Sequence, residues 1–242
     1  MDKLVAVLEG WGFTKVEAQL QFLLNPENIP MAIWETLYAP LAAALLAYLI
    51  GLPLGVVLVV GAEGGIRPLP KWLMQSLNTL INLLRSVPFL ILMVLVMPLS
   101  RLILGTAIGT AATIVPLTVA AFPYVARLVE SSLREVDRGV VEAAQSMGCS
   151  TFQIITKVML PECRPSLIGG ATNAAITILG YGAMAGSIGG GGLGAIALQR
   201  GYARNQLLVM YIAVVLLVIL VQILQNWGTK LAMKTDKRIS HK

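Results

Sequence analysis

The run LLVMYIAVVLLVILVQILQNW, Leu207 to Trp227, decides the fold: it carries no Asp, Glu, Lys, Arg or His over roughly the 20 residues that a helix needs to cross a bilayer. Four further apolar runs lie near Ile33 to Val60, Trp72 to Leu99, Ala107 to Val129 and Leu167 to Ile188. Across the 242 residues 57% are hydrophobic and only 12% are charged, so a soluble fold would leave these runs without a core to bury them. The expected fold is all-α, a polytopic membrane protein with five transmembrane helices. The second run contains Asn78, Asn82 and Arg85 and the fourth Asn173, so each should present one side to protein or water.

Loop charges set the orientation. The connection after the first run has Arg67 and Lys71, the long third connection has Arg134, Arg138, Lys157 and Arg164, and the C-terminal end has Lys230, Lys234, Lys237, Arg238 and Lys242. By the positive-inside rule these are cytoplasmic, which puts the N-terminus outside with Lys3 and Lys15 among Asp2, Glu9, Glu17 and Glu27. Arg101, Arg200 and Arg204 fall on that outer side; the last two either contact a partner or anchor lipid headgroups. The expected organisation is an extracytoplasmic amphipathic segment over 1–32, a transmembrane domain over 33–229 and a basic cytoplasmic tail over 230–242. No cleavable signal peptide is expected, because acids interrupt the first 30 residues.

Several chemistries lack the residues they need. The net charge of +6 is spread over juxtamembrane loops and not gathered on a nucleic-acid-binding module. The one histidine is His241, which leaves no His-centred base, triad or His/Cys metal cluster. Between Glu162 and Asp236 there is no carboxylate, so the last two crossings cannot supply an acidic proton relay. Gly189-Gly190-Gly191-Gly192-Leu193-Gly194 fits G-x-G-x-x-G in form, but it follows an apolar helix and lacks the Lys-Ser/Thr of a phosphate loop. Its glycines instead break a helix or let backbones approach, and mark a candidate outer mouth. Gly-x-x-x-Gly spacings at Gly51–Gly55, Gly105–Gly109 and Gly182–Gly186 are weak markers of helix association. Cys149 and Cys163 both fall on the reducing side, so no disulfide is expected.

At the N-terminus, Thr14 followed by Glu17 fits a capping box ahead of Val16, Leu20, Leu23 and Leu24. The resulting short amphipathic helix, with Trp11 and Phe13 before it, either lies at the outer interface or packs as a simple extension. Asn25-Pro26 and Ile29-Pro30 read as breaks before the first crossing.

The third connection, residues 134–165, alternates charged and apolar residues at helical spacing: Val140, Val141, Ala144 and Met147, then Phe152, Ile155 and Val158. Two short amphipathic helices are expected, divided by Gly148 in a left-handed turn and closed by Pro161 and Pro165. Small Ala143 and Ala144 suit insertion into a partner's groove, with Glu142 available to a basic group.

Glu142-Ala143-Ala144, then three residues and Gly148, then nine residues and Val158-Met159-Leu160-Pro161, resembles the cytoplasmic signature of ABC importer permeases, with Val158 where the family has Ile. Leu84-Arg85-Ser86-Val87-Pro88, Ile114-Val115-Pro116-Leu117-Thr118-Val119, Gly180-Tyr181-Gly182-Ala183-Met184 and Gly191-Gly192-Leu193-Gly194 extend the likeness to the methionine-importer permeases, over roughly Trp34 to Trp227. The resemblance implies a type I importer permease of the bacterial inner membrane. It forms a homodimer, is served by two ATP-binding subunits and a substrate-binding lipoprotein, carries methionine, and catalyses no reaction itself. ATP and Mg would be bound by the partner ATPase, and the chain needs no cofactor of its own. Glu142, Ala143, Ala144, Gly148, Leu160 and Pro161 would form the ATPase-coupling surface, within coupling helices that rock the crossings between inward-facing and outward-facing states.

The path is less determined. Arg85 within an apolar run and Pro88 three residues on would line or gate it, or Arg85 serves a salt bridge or snorkels. Tyr181, Met184 and Ser187 either project towards the path, Met184 offering a soft surface to a thioether or a plug, or serve helix packing. Three other functions stay open: a permease for another small amino acid or related compound, a membrane-embedded enzyme, which would need polar catalytic groups clustered at one depth, and a self-sufficient pore or carrier.

Overall fold

The computed structural model describes residues 2–10 and 13–236, with side chains from Val5 onward; expectations placed on Trp11, Lys237, Arg238, His241 and Lys242 lie outside these residues. Among the described residues every regular element is helical. Two short helices, α1 (Asp2–Gly10) and α2 (Val16–Leu24), precede the long α3 (Asn28–Val60). At about 1.5 Å per residue, α3 runs some 50 Å, more than the hydrocarbon thickness. Pro30 does not break it: as the third residue of the helix it sits where no intrahelical N–H bond is required.

The second crossing is not one helix. α4 (Lys71–Ser86) stops, and α5 (Phe89–Leu104) restarts after a bend of 109°. Val87 is extended, with φ −77° and ψ 127°, which is the conformation that the ring of Pro88 demands of the residue before it. Pro88 therefore follows a full break between the two helices. A 3₁₀ turn (Ala111–Thr113) leads into α6 (Ile114–Arg134), and the third connection holds α7 (Arg138–Ser146) and α8 (151–162). α9 (Arg164–Ala185) ends in a 3₁₀ turn, the glycine run leads into α10 (192–202), whose second half is π-helical, and α11 (Leu207–Thr235) closes the described chain. Among the described residues four stretches are long and apolar enough to span a membrane, and the bent α4–α5 pair makes five if counted as one.

Contacts divide the chain into two units. One comprises residues up to Ala43 with Phe89–Leu117 and Thr177–Ile223; the other comprises Ala44–Pro88, Thr118–Ile176 and residues from Leu224. In the first, Ala32, Leu193, Ala197 and Ala213 form a small-residue core flanked by Ile33, Met210 and Leu217. α2 is packed into this unit. Gln19 is fully buried, its carbonyl accepting 3.2 Å from the N–H of Val209, one of the first-turn donors of α11 that has no partner within the helix. Phe13 meets Tyr211 edge-on, and the Arg200 guanidinium lies 3.8 Å above the Phe22 ring. The Thr14–Glu17 capping box does not form, because the residue preceding α2 is Lys15 in the left-handed region, with no side-chain cap.

In the second unit, Leu58, Ile81 and Ala126 join α3, α4 and α6, with Leu54, Met74 and Leu77 packed around them. Gly51 and Gly55 serve this unit, since a Cβ on either would come within 2.7 Å of Val125 or Val129 on α6. That spacing is spent on packing within one chain. Gly105 and Gly109 have positive φ and lie in the connection between α5 and the 3₁₀ turn.

Candidate functional site

The third connection is built by local hydrogen bonding. Asp137 caps α7, its carboxylate accepting 2.7 Å from the Gly139 N–H. At the other end Gly148 has φ +75°, its N–H bonds the Gln145 carbonyl at 2.9 Å, and the Cys149 N–H reaches back to the Ala144 carbonyl at 3.1 Å. These two bonds make a Schellman motif, which requires the left-handed residue that glycine supplies. Ser150 then opens α8 with a reciprocal capping box: its hydroxyl accepts from the Gln153 N–H at 3.3 Å, and its own N–H donates to the Gln153 side chain at 2.8 Å. The turn between the helices is thus closed on both sides of Gly148.

α8 does not end at Pro161. An α-turn (Thr151–Gln153) runs into a π-helical stretch (Ile154–Met159), then Leu160–Glu162. The Leu160 N–H bonds Ile155 five residues back, and Pro161, which has no N–H to give, follows where the ladder is already widened. The helix stops at Cys163, and Pro165 lies in the first turn of α9.

This arrangement has two faces. Ala144, Ile154 and Met159 are buried, so Ala144 packs inward and is not offered to a partner's groove. Glu142, Ala143 and Gly148 are exposed, with Val140 beside them, and Met147 and Phe152 have 76% and 73% of their surface open. Large exposed apolar side chains next to a carboxylate, on short rigid helices, are the makings of a docking surface. Leu160 and Pro161 are half-buried behind it. A cavity of about 250 Å³ opens beside α7, lined by Glu63, Gly64, Arg134, Arg138, Glu142 and Gln145 among others.

Cys163 is buried at the end of α8, and burial, reinforced by Glu135 and Glu162, pushes its thiol up to about 11. Because the thiolate is the nucleophile, alkylation of Cys163 in a Cys149→Ser variant should be slow at pH 8 and rise about tenfold per pH unit towards pH 10. A rate that levels off below pH 9 would contradict the burial.

The path candidates fall in different places. Arg85 lies in the last turn of α4, beside the break, and is exposed. Pro88 is in the break. The Tyr181 ring stacks on Phe89 with centroids 4.3 Å apart and planes 7° apart. Met184 is 47% exposed and Ser187 is exposed, its hydroxyl donating to the Met184 carbonyl at 2.7 Å. The half-buried Tyr181 ring thus packs within this chain, whereas Met184 and Ser187 are exposed on its surface.

Two polar groupings join residues that lie far apart in the sequence. The glycine run is held by α3: Glu35 accepts from the Gly192 N–H at 2.8 Å and from the Thr110 hydroxyl at 2.9 Å, and Thr36 accepts from the Leu193 N–H at 2.8 Å. Gly191 has no room for a side chain against Glu35 and Thr110. In the other unit, Arg127 of α6 donates to Glu130 at 2.6 Å and to Asn78 and Asn82 of α4 at 2.8 and 2.9 Å. Arg127 is seven residues, roughly 10 Å, from the end of α6. Unpaired in hydrocarbon it would cost roughly 2.5–3.5 kcal/mol. The i, i+3 spacing of Arg127 and Glu130 was the available signal. Among the described residues no group of three or more His, Cys, Asp or Glu side chains converges as a metal site would.

Known proteins give this geometry a context. Residues 51–231 match the family model described as the binding-protein-dependent transport system inner membrane component. The chain is 47% identical over 218 residues to the probable D-methionine transport system permease protein MetI of Vibrio cholerae, covering 90% of this chain and 96% of that one. It is 44% identical to the corresponding protein of Pasteurella multocida, over 88% of this chain and 97% of that one. A chain in a solved inward-facing structure of the MetNI methionine ABC transporter superposes with a TM-score of 0.84 at 42% identity, covering 86% of this chain and 96% of that one. With three-quarters of its length inside the family model, this chain belongs to the inner membrane components of binding-protein-dependent transport systems.

Proposed function

We propose that the chain is the membrane-spanning permease subunit of an ABC importer for methionine, driven by ATP hydrolysis on a separate subunit. The observation that carries the mechanism is the exposed Glu142–Gly148–Phe152 face, a rigid helix–glycine–helix presented by a chain with no phosphate loop of its own. The substrate rests on likeness to methionine permeases over nearly the whole chain. Two copies surround one path, each docks an ATP-binding subunit through Glu142, Ala143 and Gly148, and a substrate-binding lipoprotein delivers methionine from outside. Leu160 and Pro161 brace that surface from behind, Ala144 anchors it inward, and Met184 and Ser187 face the path. Arg85 and Pro88 set the break that lets the second crossing move against its neighbours. The N-terminal segment and the glycine run lie outside and the basic tail lies in the cytoplasm, as the loop charges favour.

Closure of the ATPase pair draws the docked loops together and shifts the crossings between two states, a population shift with no chemical step in this chain. Reconstitution with its ATP-binding subunit and binding protein should give ATP-dependent methionine uptake into proteoliposomes, and a reporter fused after Lys242 should be readable only from the cytoplasm. Preference for another amino acid would replace the substrate, and uptake without the ATPase would remove the mechanism.

A further inference from the structure

We infer that Arg127 is the positioning residue through which the coupling loop moves α4, an inference that rests on the importer reading above. Charge-assisted bonds, joined through the short backbone stretch between Arg134 and Asp137, lead from one to the other. Asp137 caps α7, and three residues before it Arg134, the last residue of α6, donates to Glu130 through Nε at 3.1 Å and Nη2 at 2.8 Å. The other oxygen of Glu130 accepts from Arg127 Nη1 at 2.6 Å, so one carboxylate serves two guanidinium groups. Arg127 Nη2 then divides between the side-chain carbonyls of Asn78 and Asn82.

Those two asparagines are four apart on α4 and share one face, and the Asn78 amide is oriented by donating its NH₂ to the Met74 carbonyl at 2.8 Å. Its carbonyl oxygen is left aimed at Arg127. Five residues beyond Asn82 the helix reaches the Val87–Pro88 break.

The location argues for transmission over simple attachment. α4 already packs on α3 and α6 through Ile81, Leu58 and Ala126, with Met74 and Leu77 beside them, so apolar contacts suffice to hold it. Side chains of Arg127 and Glu130 retain only 22% and 13% of their exposure, and a buried ion pair of this kind adds less stability than a well-packed apolar replacement would. What it adds is direction. A planar guanidinium fixed at three acceptors cannot slide along α4 as methyl groups can, so displacement of the α6 end is passed to α4 at defined positions.

The test is the methionine accumulated per ATP hydrolysed in proteoliposomes holding the complete transporter. Arg127→Met keeps the volume and the apolar packing, and should leave assembly and basal ATP hydrolysis in place while the ratio falls about tenfold. Arg127→Lys, which keeps the charge but cannot reach all three acceptors, should restore part of it. A wild-type ratio in an assembled Arg127→Met transporter overturns the inference. Where that variant does not assemble, Asn78→Ala with Asn82→Ala leaves the ion pair intact and decides: a lowered ratio supports the link, an unchanged one overturns it. Absence of methionine uptake by the unmodified transporter would instead remove the importer reading, and is told apart because it needs no substitution.

Discussion

Gly148→Val is expected to reduce ATP-driven uptake by tenfold or more while leaving the chain inserted in the membrane. At φ +75° a Cβ added to Gly148 meets nothing within 4 Å, so the whole effect is backbone strain and none of it is steric overlap. Forcing a β-branched residue into the left-handed region costs about 1–3 kcal/mol, enough to unmake the Schellman turn in much of the population. The two helices would then lose their fixed angle, and with it the shared face of Glu142, Met147 and Phe152. Asparagine visits the left-handed region routinely, so Gly148→Asn should retain most activity. Uptake and ATPase stimulation measured on both variants separate the cases: equal impairment would mean that the site senses side-chain bulk, and full activity of the valine variant would remove the turn from the mechanism.

Gly194→Ala should be more damaging still, and at the level of folding. A Cβ on Gly194 would run into the backbone of Ala183, and one on Gly186 into the backbone of Ala195, so these segments approach with no room for a side chain between them. Unlike overlap with a flexible side chain, contact with a carbonyl cannot be relieved by a rotamer change. A single methyl there should cost about 3 kcal/mol, the upper end for overpacking. The expected result is loss of detergent-stable protein at ordinary expression levels, measured by size-exclusion yield and thermal unfolding. Gly180→Ala, where the added methyl has open space, is the matched control and should be nearly neutral.

The apolar runs made the helices and their number legible, because hydrocarbon solvent admits few alternatives to an internally bonded helix. The helix–glycine–helix of the third connection was legible too, since Gly148 and the apolar spacing around it act locally. The misreadings have local causes as well. Thr14-x-x-Glu17 has the composition of a capping box, but Gln19 is drawn to the start of α11, 190 residues on, and the helix begins after Lys15 instead. Ala144 and Ala143 are adjacent and equally small, and only the rotation of α7 shows that one is buried and the other exposed. Arg85 stood in an apolar run that looked continuous until the break at Val87–Pro88 placed it at a helix end. Asn78, Asn82, Arg127 and Glu130 come from separate crossings, so their meeting depends on packing that periodicity alone does not specify.

In the proposed importer the exposed face of the third connection seats a separate ATPase. A photo-cross-linking amino acid placed at Met147, with 76% of its surface open, tests this directly in membranes containing the complete transporter. The expected result is a covalent adduct with the ATP-binding subunit whose yield changes when ATP is added. Labelling of lipid, or labelling only by reagents confined to the outer side of the membrane, would contradict it.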